Sequence, residues 1–427
     1  MNANEILESR GPLIGGAVSG GLDSCTVTSW LTRKGFEVHG FTVDLGQPDE
    51  ENLDAVADRM LACGAKSAHI LPGKEALIAE GIKVIQAQAK YEGGYWNTTG
   101  IARPVTTEII LKKMGDDGIP VMFHGATGRG NDQMRFQLAA NFLNPTADIY
   151  APWRDPEFLS EFPGRVEMID YCEKNKLPIR PARESRYSTD ANILGLTHEA
   201  GDLEDVSIPP FFVEPGMGNW AWDAPETPET VSIRFEAGKP VELNGKAIDT
   251  VAMFEQANDI GGEHGVGIGL HVVENRFVGV KSRGIYEAPA MELLGTAYEF
   301  LTQFIFDRRA RELFESISRS LSKQIYEGYW LDQSTGASLA ALAEITKLVT
   351  GTVAVRLYRG NVFFESADID RDSMPNGLFT SASSMEDTSD EDQSEPQFDH
   401  EASEGFAQVI QVHARTVGTR QRRRNSD

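Results

Sequence analysis

Cysteine is scarce in this sequence of 427 residues: Cys25, Cys63 and Cys172 lie far apart and are odd in number. This excludes a disulfide framework and indicates a reducing compartment. Apolar runs are also short, since none approaches the roughly 20 residues that a membrane-spanning helix needs. Residues 1–12 contain Glu5 and Glu8 and lack the apolar stretch of a signal peptide. We therefore expect a cytoplasmic protein that has no membrane partner.

Basic residues are in the minority. The chain has 40 Lys and Arg against 64 Asp and Glu, which gives a formal net charge of −24. Because phosphate backbones are bound by basic surfaces, nucleic acid is not an expected partner. The simpler reading of the acidity is solubility and self-repulsion. The hydrophobic content of 41% is that of a globular protein, and the length predicts two domains and a tail.

The first 180 residues alternate short apolar runs with segments that have a helical pattern. Predicted strands lie at 12–18, 37–45, 66–71 and 120–124. Predicted helices lie at 23–34, 49–62, 74–90, 106–114 and 132–142. Glycines end several of these helices, and the apolar period switches between that of a strand and that of a helix. The predicted fold class is therefore α/β, with βα units on a parallel sheet and ligands beyond the carboxyl ends of the strands.

The composition changes after residue 178. Proline-rich stretches at 178–181 and 208–230 indicate a linker and a surface loop. A hairpin at 231–243, a strand at 271–281, helices within 290–326 and a hairpin at 353–364 predict a second, α+β domain. Residues 368–404 are rich in Ser, Asp and Glu, which predicts a mostly disordered acidic tail, then a short docking arm at 405–412 and a solvated basic end at 420–424. The predicted domains are 1–180, 181–366 and 367–427.

A glycine-containing loop follows the first predicted strand. The strand ends at Val18 and runs into Ser19-Gly20-Gly21-Leu22-Asp23-Ser24, where a helix begins at once. Glycines let successive backbone N–H groups approach an anion, and the helix N-terminus adds a favourable dipole. No Gly-Lys-Ser/Thr follows, so this is not the Walker pattern. The hexapeptide instead matches the pyrophosphate-binding loop of enzymes that split ATP between its α- and β-phosphates, although glycines alone could mark a simple turn.

Cleavage at the α-phosphate solves a particular chemical problem. The oxygens of ureas, amides and carboxylates are poor leaving groups. Transfer of AMP onto such an oxygen makes it leave readily, and an amine can then replace it. A loop that stabilises the departing pyrophosphate electrostatically supplies the largest part of such catalysis.

Further segments along the chain resemble one enzyme family. They are Leu45-Gly46-Gln47, Ala102-Arg103-Pro104, the run from His124 to Asp132, Ala151-Pro152-Trp153-Arg154, Tyr187-Ser188-Thr189-Asp190, Thr197-His198-Glu199-Ala200, Glu274-Asn275-Arg276 and the run from Lys281 to Glu287. Together with the loop, and in this order, they resemble argininosuccinate synthase over residues 13–360. The Tyr-Ser-Thr-Asp and Thr-His-Glu-Ala segments are similar to a bacterial subgroup.

The resemblance implies an adenine nucleotide alpha hydrolase-like domain with a pyrophosphate loop, followed by a synthetase domain. It also implies a carbon–nitrogen ligase of arginine biosynthesis, which converts ATP, citrulline and aspartate to AMP, diphosphate and argininosuccinate through a citrullyl-adenylate. Magnesium would accompany ATP, held mostly by phosphates and water, with no protein metal site. A homotetramer is implied by the resemblance alone.

The resemblance also implies a role for individual residues. Asp23, Asn131 and Asp132 would be catalytic. ATP would contact Ala17, Val18, Ser19, Gly20, Gly21, Leu22, Asp23, Ser24, Cys25, Val43, Gly125, Thr127, Asp132 and Asp190. Citrulline would contact Tyr95, Asn131, Arg135, Ser188, Thr197, Glu199, Glu274 and Tyr286, and aspartate would contact Thr127, Asn131 and Asp132.

Several of these residues also have a structural interpretation. Tyr95 and Tyr286 would each be a core tyrosine if taken alone. Arg135 could simply pair with Asp132 three residues earlier on the same predicted helix. Glu199, which the sequence places in a helical context, would by default face solvent. Motif context favours the functional interpretation in each case.

The chain departs from the family pattern at a few positions. Cys25 replaces a hydroxyl residue in the loop, Val43 stands where alanine is frequent, and Gly100 occupies a position that is serine in some relatives. Asp190 could also be read as a helix cap. Two other classes of protein stay open: a different pyrophosphate-loop enzyme that modifies tRNA, and a non-catalytic nucleotide-binding scaffold.

Overall fold

The computed structural model describes residues 2–50, 52–128, 130–179, 186–370 and 400–424. The contacts divide the chain into two units, Met1–Pro375 and Asn376–Asp427. Among the described helices, none combines the length and the apolar content that crossing a membrane requires.

A five-stranded parallel sheet forms the first layer. Its strands are β1 (Leu13–Ala17), β2 (Glu37–Asp44), β3 (Ser67–Pro72), β4 (Val121–His124) and β5 (Asp148–Tyr150). Their order is β3-β2-β1-β4-β5, and all four neighbouring pairs are parallel. The parallel α/β fold that the sequence predicts is confirmed. From β1 the chain adds β2 and β3 on one side of the sheet and then β4 and β5 on the other. Open parallel sheets bind their ligands at such a switch in strand order, here between β1 and β4.

Eight helices accompany this sheet in the described residues. They are α1 (Ala3–Arg10), α2 (Leu22–Arg33), α3 (Leu53–Ala62), α4 (Lys74–Ala87), α5 (Thr98–Asp117), α6 (Asp132–Leu143), α7 (Pro156–Glu161) and α8 (Arg165–Lys174). Helices α1, α7 and α8 were not predicted, and two of the predicted helices begin well away from the predicted residue. Helix α3 begins four residues later than predicted, at Leu53, where Asn52 accepts the capping hydrogen bond. Helix α5 begins well before residue 106 and contains Pro104, a residue that normally ends or kinks a helix.

Small residues in β1 let larger ones pack across it. A Cβ on Gly16 would lie 2.1 Å from the ring of Phe123 on β4, and a Cβ on Gly15 would lie 3.0 Å from Met114 of α5. Phe123 is 1% exposed. The glycines of β1 are therefore required by close packing.

Two antiparallel sheets make up the later part of the first unit. One contains β8 (Glu229–Glu236), β9 (Lys239–Leu243), β10 (Lys246–Ala247), β13 (Gly351–Tyr358) and β14 (Asn361–Ile369), and the other contains β6 (Ser188–Asn192), β7 (Gly195–Glu199), β11 (Leu270–Asn275) and β12 (Lys281–Glu287). The helices are α9 (Thr250–Glu263), α10 (Pro289–Ile305), α11 (Arg308–Glu327) and α12 (Gln333–Thr346). Both predicted hairpins are present, as β8–β9 and β13–β14.

Two local predictions in this region are wrong. The single strand predicted at 271–281 is a hairpin, because the chain turns between Asn275 and Lys281 and the backbone N–H of Arg276 donates to the carbonyl of Val280. Glu199 is not helical: it ends β7 and pairs with Gly284 of β12. Asp190 likewise lies within β6, so it caps no helix.

The second unit is described only as α13 (His400–Arg424). Most of the predicted disordered tail, residues 371–399, lies outside the described residues. The predicted docking arm at 405–412 falls within a helix of 25 residues, which also includes the basic end. Several apolar side chains on it are exposed, among them Phe406 and Val409.

We predict that Gly16→Ala lowers the free energy of unfolding by about 1–3 kcal/mol, because the new methyl group overlaps the ring of Phe123. Urea unfolding followed by circular dichroism measures this change. Gly115→Ala is the matched control: Gly115 lies in α5 with nothing within 4 Å of its added Cβ, so alanine there should stabilise by up to about 1 kcal/mol. Equal midpoints for the two variants would contradict the packing argument.

Candidate active site

A cavity of about 880 Å³ opens at the carboxyl ends of β1, β2 and β4. Its other walls come from the β6–β7 pair and from the β11–β12 hairpin. With one exception, every residue predicted from the sequence to bind a substrate lines this cavity. They are Ala17, Val18, Ser19, Gly20, Gly21, Leu22, Asp23, Ser24, Val43, Tyr95, Gly125, Thr127, Asn131, Asp132, Arg135, Ser188, Asp190, Thr197, Glu199, Glu274 and Tyr286.

The loop between β1 and α2 is built to present backbone N–H groups. Gly20 has φ +71°, a conformation that glycine adopts without strain. Helix α2 begins at Leu22, and no side chain caps its N-terminus at Gly21. The first N–H groups of a helix have no partner within the helix, so they stay available to an anion. Ser24 stabilises the turn from inside, since its hydroxyl accepts the N–H of Ser19 at 3.0 Å.

Asp23 is the acidic residue of this loop. The indole N–H of Trp153 donates to its carboxylate at 3.1 Å. Burial raises the pKa of Asp23, and the hydrogen bond from Trp153 and the charge of Arg165 oppose that rise. The carboxylate is therefore held in a fixed orientation beside the N-terminus of α2.

Cys25 is the exception among the predicted residues. Its side chain is fully buried, and its thiol donates to the carbonyl of Gly20 at 3.6 Å. Interaction with Cys63, followed by burial, raises the pKa of the Cys25 thiol well above its usual range. The side chain thus packs behind the loop and does not face the cavity. Cys25 in place of a hydroxyl residue therefore removes no hydrogen-bond donor from the lining of the cavity.

Four side chains of alternating charge are linked to one another in the wall of the cavity. Arg103 of α5 donates to Asp132 at 2.7 Å and also to Asp190 of β6. Asp132 in turn accepts from Arg135 at 2.8 Å. Burial opposes ionisation of Asp132, but the charges of Arg103 and Arg135 outweigh it and hold its pKa well below the usual range. Burial raises the pKa of Asp190, although Arg103 opposes the rise.

The far end of the cavity carries tyrosines and two glutamates. The rings of Tyr95 and Tyr286 stack with centroids 4.2 Å apart. Arg276 donates to Glu199 at 2.8 Å, yet burial raises the pKa of Glu199 to about 7. Burial also raises the pKa of Glu274, against the opposing influence of its hydrogen bond with Tyr326. Glu274 interacts electrostatically with both Arg135 and Glu199, and a guanidinium together with carboxylates suits a zwitterionic amino acid.

The structure adds residues that sequence reasoning did not assign a role. Arg103, Arg165 and Arg276 line the cavity. Two of them, Arg103 and Arg276, lie in segments that carry the family resemblance. The sequence therefore indicated that these positions matter, but it did not indicate which residues they contact. Arg59 of α3 pairs with Glu50 at 2.7 Å and faces Gly20, and no motif indicated it. Gly100 packs against Ile325 and Arg135, and it does not line the cavity.

Comparison with known proteins identifies this arrangement. Residues 14–178 match the family model for the arginosuccinate synthase N-terminal HUP domain, and residues 187–417 match that for the arginosuccinate synthase C-terminal domain. The chain belongs to the argininosuccinate synthase family. It is 41% identical over 365 residues to an argininosuccinate synthase from Rhodopirellula baltica, across 85% of this chain and 89% of that protein.

Two solved structures are more distantly similar. A predicted tRNA methyltransferase subunit from Methanocaldococcus jannaschii has 12% identity and a TM-score of 0.25, covering 38% of this chain and 87% of its own. A tyrosyl-tRNA synthetase from Leishmania major has 11% identity and a TM-score of 0.18, covering 80% of this chain and 49% of its own.

Membership of the argininosuccinate synthase family makes the chain an enzyme of the ligase class and does not favour the alternatives of a tRNA-modifying protein or a scaffold. The predicted domain boundaries stay predictions. In the described part of the chain, no group of three or more His, Cys, Asp and Glu side chains is placed to hold a metal ion.

We predict that Gly20→Ala weakens ATP binding about tenfold or more. The added Cβ would lie 2.8 Å from the guanidinium of Arg59 and would strain a backbone at φ +71°, so the N–H groups of the loop would move. Isothermal titration with ATP measures the effect. Gly118→Ala is the control, because Gly118 has a similar φ of +68° with nothing within 4 Å. If both variants bind ATP with the wild-type affinity, the loop does not hold the phosphates.

Proposed function

We propose that this chain joins citrulline to aspartate and converts ATP to AMP and diphosphate, forming argininosuccinate through a citrullyl-adenylate. The observation that carries the proposal is one cavity in which the loop before α2 faces a cluster of charged side chains suited to an amino acid. The family match and the relative from Rhodopirellula baltica support the same reaction. A tRNA-modifying function is not favoured, because the chain carries a net charge of −24 and has no Cys-x-x-Cys pair.

In the first step, the ureido oxygen of citrulline attacks the α-phosphorus of ATP, and diphosphate leaves. The loop Ser19–Ser24 would bind the β- and γ-phosphates through its N–H groups, where negative charge accumulates as the bond breaks. Val43 lies at the end of β2 and lines the cavity beside the loop, in a position suited to the adenine. Since the ureido oxygen is neutral, correct placement of the two reactants would supply much of the rate.

Citrulline would bind at the far end of the cavity. Among the described residues, Arg135 donates three of its five N–H groups, twice to the carbonyl of Tyr326 and once to Asp132. The other two N–H groups would bind the carboxylate of citrulline. Glu274 and Glu199 would receive its α-ammonium group. Tyr95 and Tyr286 would line the path of its apolar chain.

In the second step, the amine of aspartate attacks the activated carbon, and AMP leaves. Thr127 and Asn131 follow β4 and would bind the carboxylates of aspartate through hydroxyl and amide donors. The low pKa of Asp132 makes it a poor proton acceptor, so its role would be to hold an ammonium group or to orient Arg103 and Arg135.

Magnesium fits the oxygen donors of the loop. Mg²⁺ typically binds one or two protein carboxylates and completes its shell with phosphate oxygens and water. Asp23, next to the N-terminus of α2, is the carboxylate that would hold it. The ion would neutralise charge on the phosphates. The homotetramer and the cytoplasmic location belong to the same proposal.

We predict sustained diphosphate release only when ATP, citrulline and aspartate are all present, at one equivalent per argininosuccinate formed. A coupled assay for diphosphate, with each amino acid omitted in turn, measures this. Citrulline alone should give at most a single turnover, since the adenylate then has no amine to consume it. Sustained release without citrulline, or no release with every substrate present, would contradict the proposed reaction.

A further inference from the structure

Tyr326 lies directly behind the far end of the cavity, at the last turn of α11. It is 0% exposed, and it is not among the residues that line the cavity. Its backbone and its side chain nevertheless contact two residues that do line it, Arg135 and Glu274.

The carbonyl of Tyr326 fixes the guanidinium of Arg135. It accepts the Nε–H at 3.0 Å and an Nη2–H at 2.7 Å, and the guanidinium carbon lies 5.1 Å from the centre of the tyrosine ring. Gly328, at the end of the same helix, packs so closely that an added Cβ would lie 3.1 Å from Cα of Arg135. The end of α11 is thus packed closely against α6 at Arg135 and Leu138.

The hydroxyl of Tyr326 fixes the carboxylate of Glu274. The O–H donates to Oε2 of Glu274, and the ring stacks on Tyr91 with centroids 3.6 Å apart. A rigid ring that is stacked on one side and buried on the other holds its hydroxyl in place. The orientation of Glu274 on β11 is therefore set by α11, an element more than 30 residues further along the chain.

We infer that Tyr326 is a positioning residue for the amino-acid substrate: it holds the Glu274 carboxylate and the Arg135 guanidinium side by side, to bind the ammonium and carboxylate groups of one free α-amino acid. This inference rests on the proposed function, in which that amino acid is citrulline. Tyr326 would act through these two residues and would not touch the reacting atoms.

The charge state of Glu274 also depends on this contact. Burial raises its pKa, while the Tyr326 hydroxyl, then Arg135 and Arg276, lower it. The other titratable groups near Glu274 are Tyr91, Tyr95, Asp132 and Glu199. Without the hydroxyl, the pKa of Glu274 should rise. As the pH is lowered, Glu274 would then become protonated at a higher pH than in the wild type and would no longer bind the ammonium group.

The test is Tyr326→Phe, which keeps the ring and the carbonyl and removes only the hydroxyl. We predict that the citrulline KM rises about tenfold or more, as expected for loss of a hydrogen bond to a charged group, while kcat and the KM for ATP change less than about threefold. In the variant, kcat/KM for citrulline should fall off at a higher pH than in the wild type as the pH is lowered.

A substrate analogue gives a second measurement. 5-Ureidopentanoate lacks the α-ammonium group that Glu274 would bind. The ratio of kcat/KM for citrulline to kcat/KM for this analogue should be about tenfold smaller in the Tyr326→Phe variant than in the wild type. Because the ratio is measured within each protein, it does not depend on how much of the variant folds.

Tyr298→Phe is the matched control. Tyr298 is a buried tyrosine of α10 whose hydroxyl has no hydrogen-bond partner within the described residues, so its loss should leave the citrulline KM and the pH profile unchanged. An unchanged citrulline KM and pH profile in Tyr326→Phe would overturn the role of Tyr326 while the proposed function stands. A fall in kcat alone, with both KM and the analogue ratio unchanged, would overturn it as well. Absence of citrulline-dependent diphosphate release by the wild type would overturn both.

Discussion

The buried ion network Asp190–Arg103–Asp132–Arg135 is the interaction on which the rest of the site depends. Arg103 comes from α5 and Asp132 from α6, both next to the parallel sheet, whereas Asp190 comes from β6 of an antiparallel sheet. Charges removed from water are costly unless they are paired, so these four side chains hold α5, α6 and β6 in a fixed relation. That relation determines how far the loop after β1 lies from the end of the cavity that Arg135 and Glu274 line.

The network also separates two ends of the cavity that differ in their chemistry. The loop after β1 offers backbone N–H groups and a helix N-terminus, which suit a polyanion. The far end offers the guanidinium of Arg135, with two N–H groups that no described residue accepts, and the buried carboxyl groups of Glu199 and Glu274. Together they suit the carboxylate and the ammonium group of an amino acid. Arg103 and Asp132 lie between them and neutralise each other. A reaction that transfers AMP onto an amino acid needs both ends within one cavity, and the fold supplies that cavity.

The strands of the parallel sheet and the loop after β1 could be predicted from the sequence, because short local patterns of residues encode them. The apolar runs gave β1 to β4, and the hexapeptide after Val18 gave the loop. Features that depend on distant packing could not be read in this way. The turn between β11 and β12 lies in a largely apolar stretch that resembles one strand, and the helical context assigned to Glu199 was overridden by pairing with β12. The partners of Arg103 lie 29 and 87 residues away, so its contacts follow only from the tertiary structure.

The central claim is that one cavity places the α-phosphorus of ATP next to the ureido oxygen of citrulline. A crystal structure with a non-hydrolysable ATP analogue and citrulline tests it most directly. The account predicts the β- and γ-phosphates on the N–H groups of residues 19–24, the amino acid between Arg135 and Glu274, and the ureido oxygen in line with the α-phosphorus. Phosphates bound away from the loop, or citrulline bound outside this cavity, would contradict it.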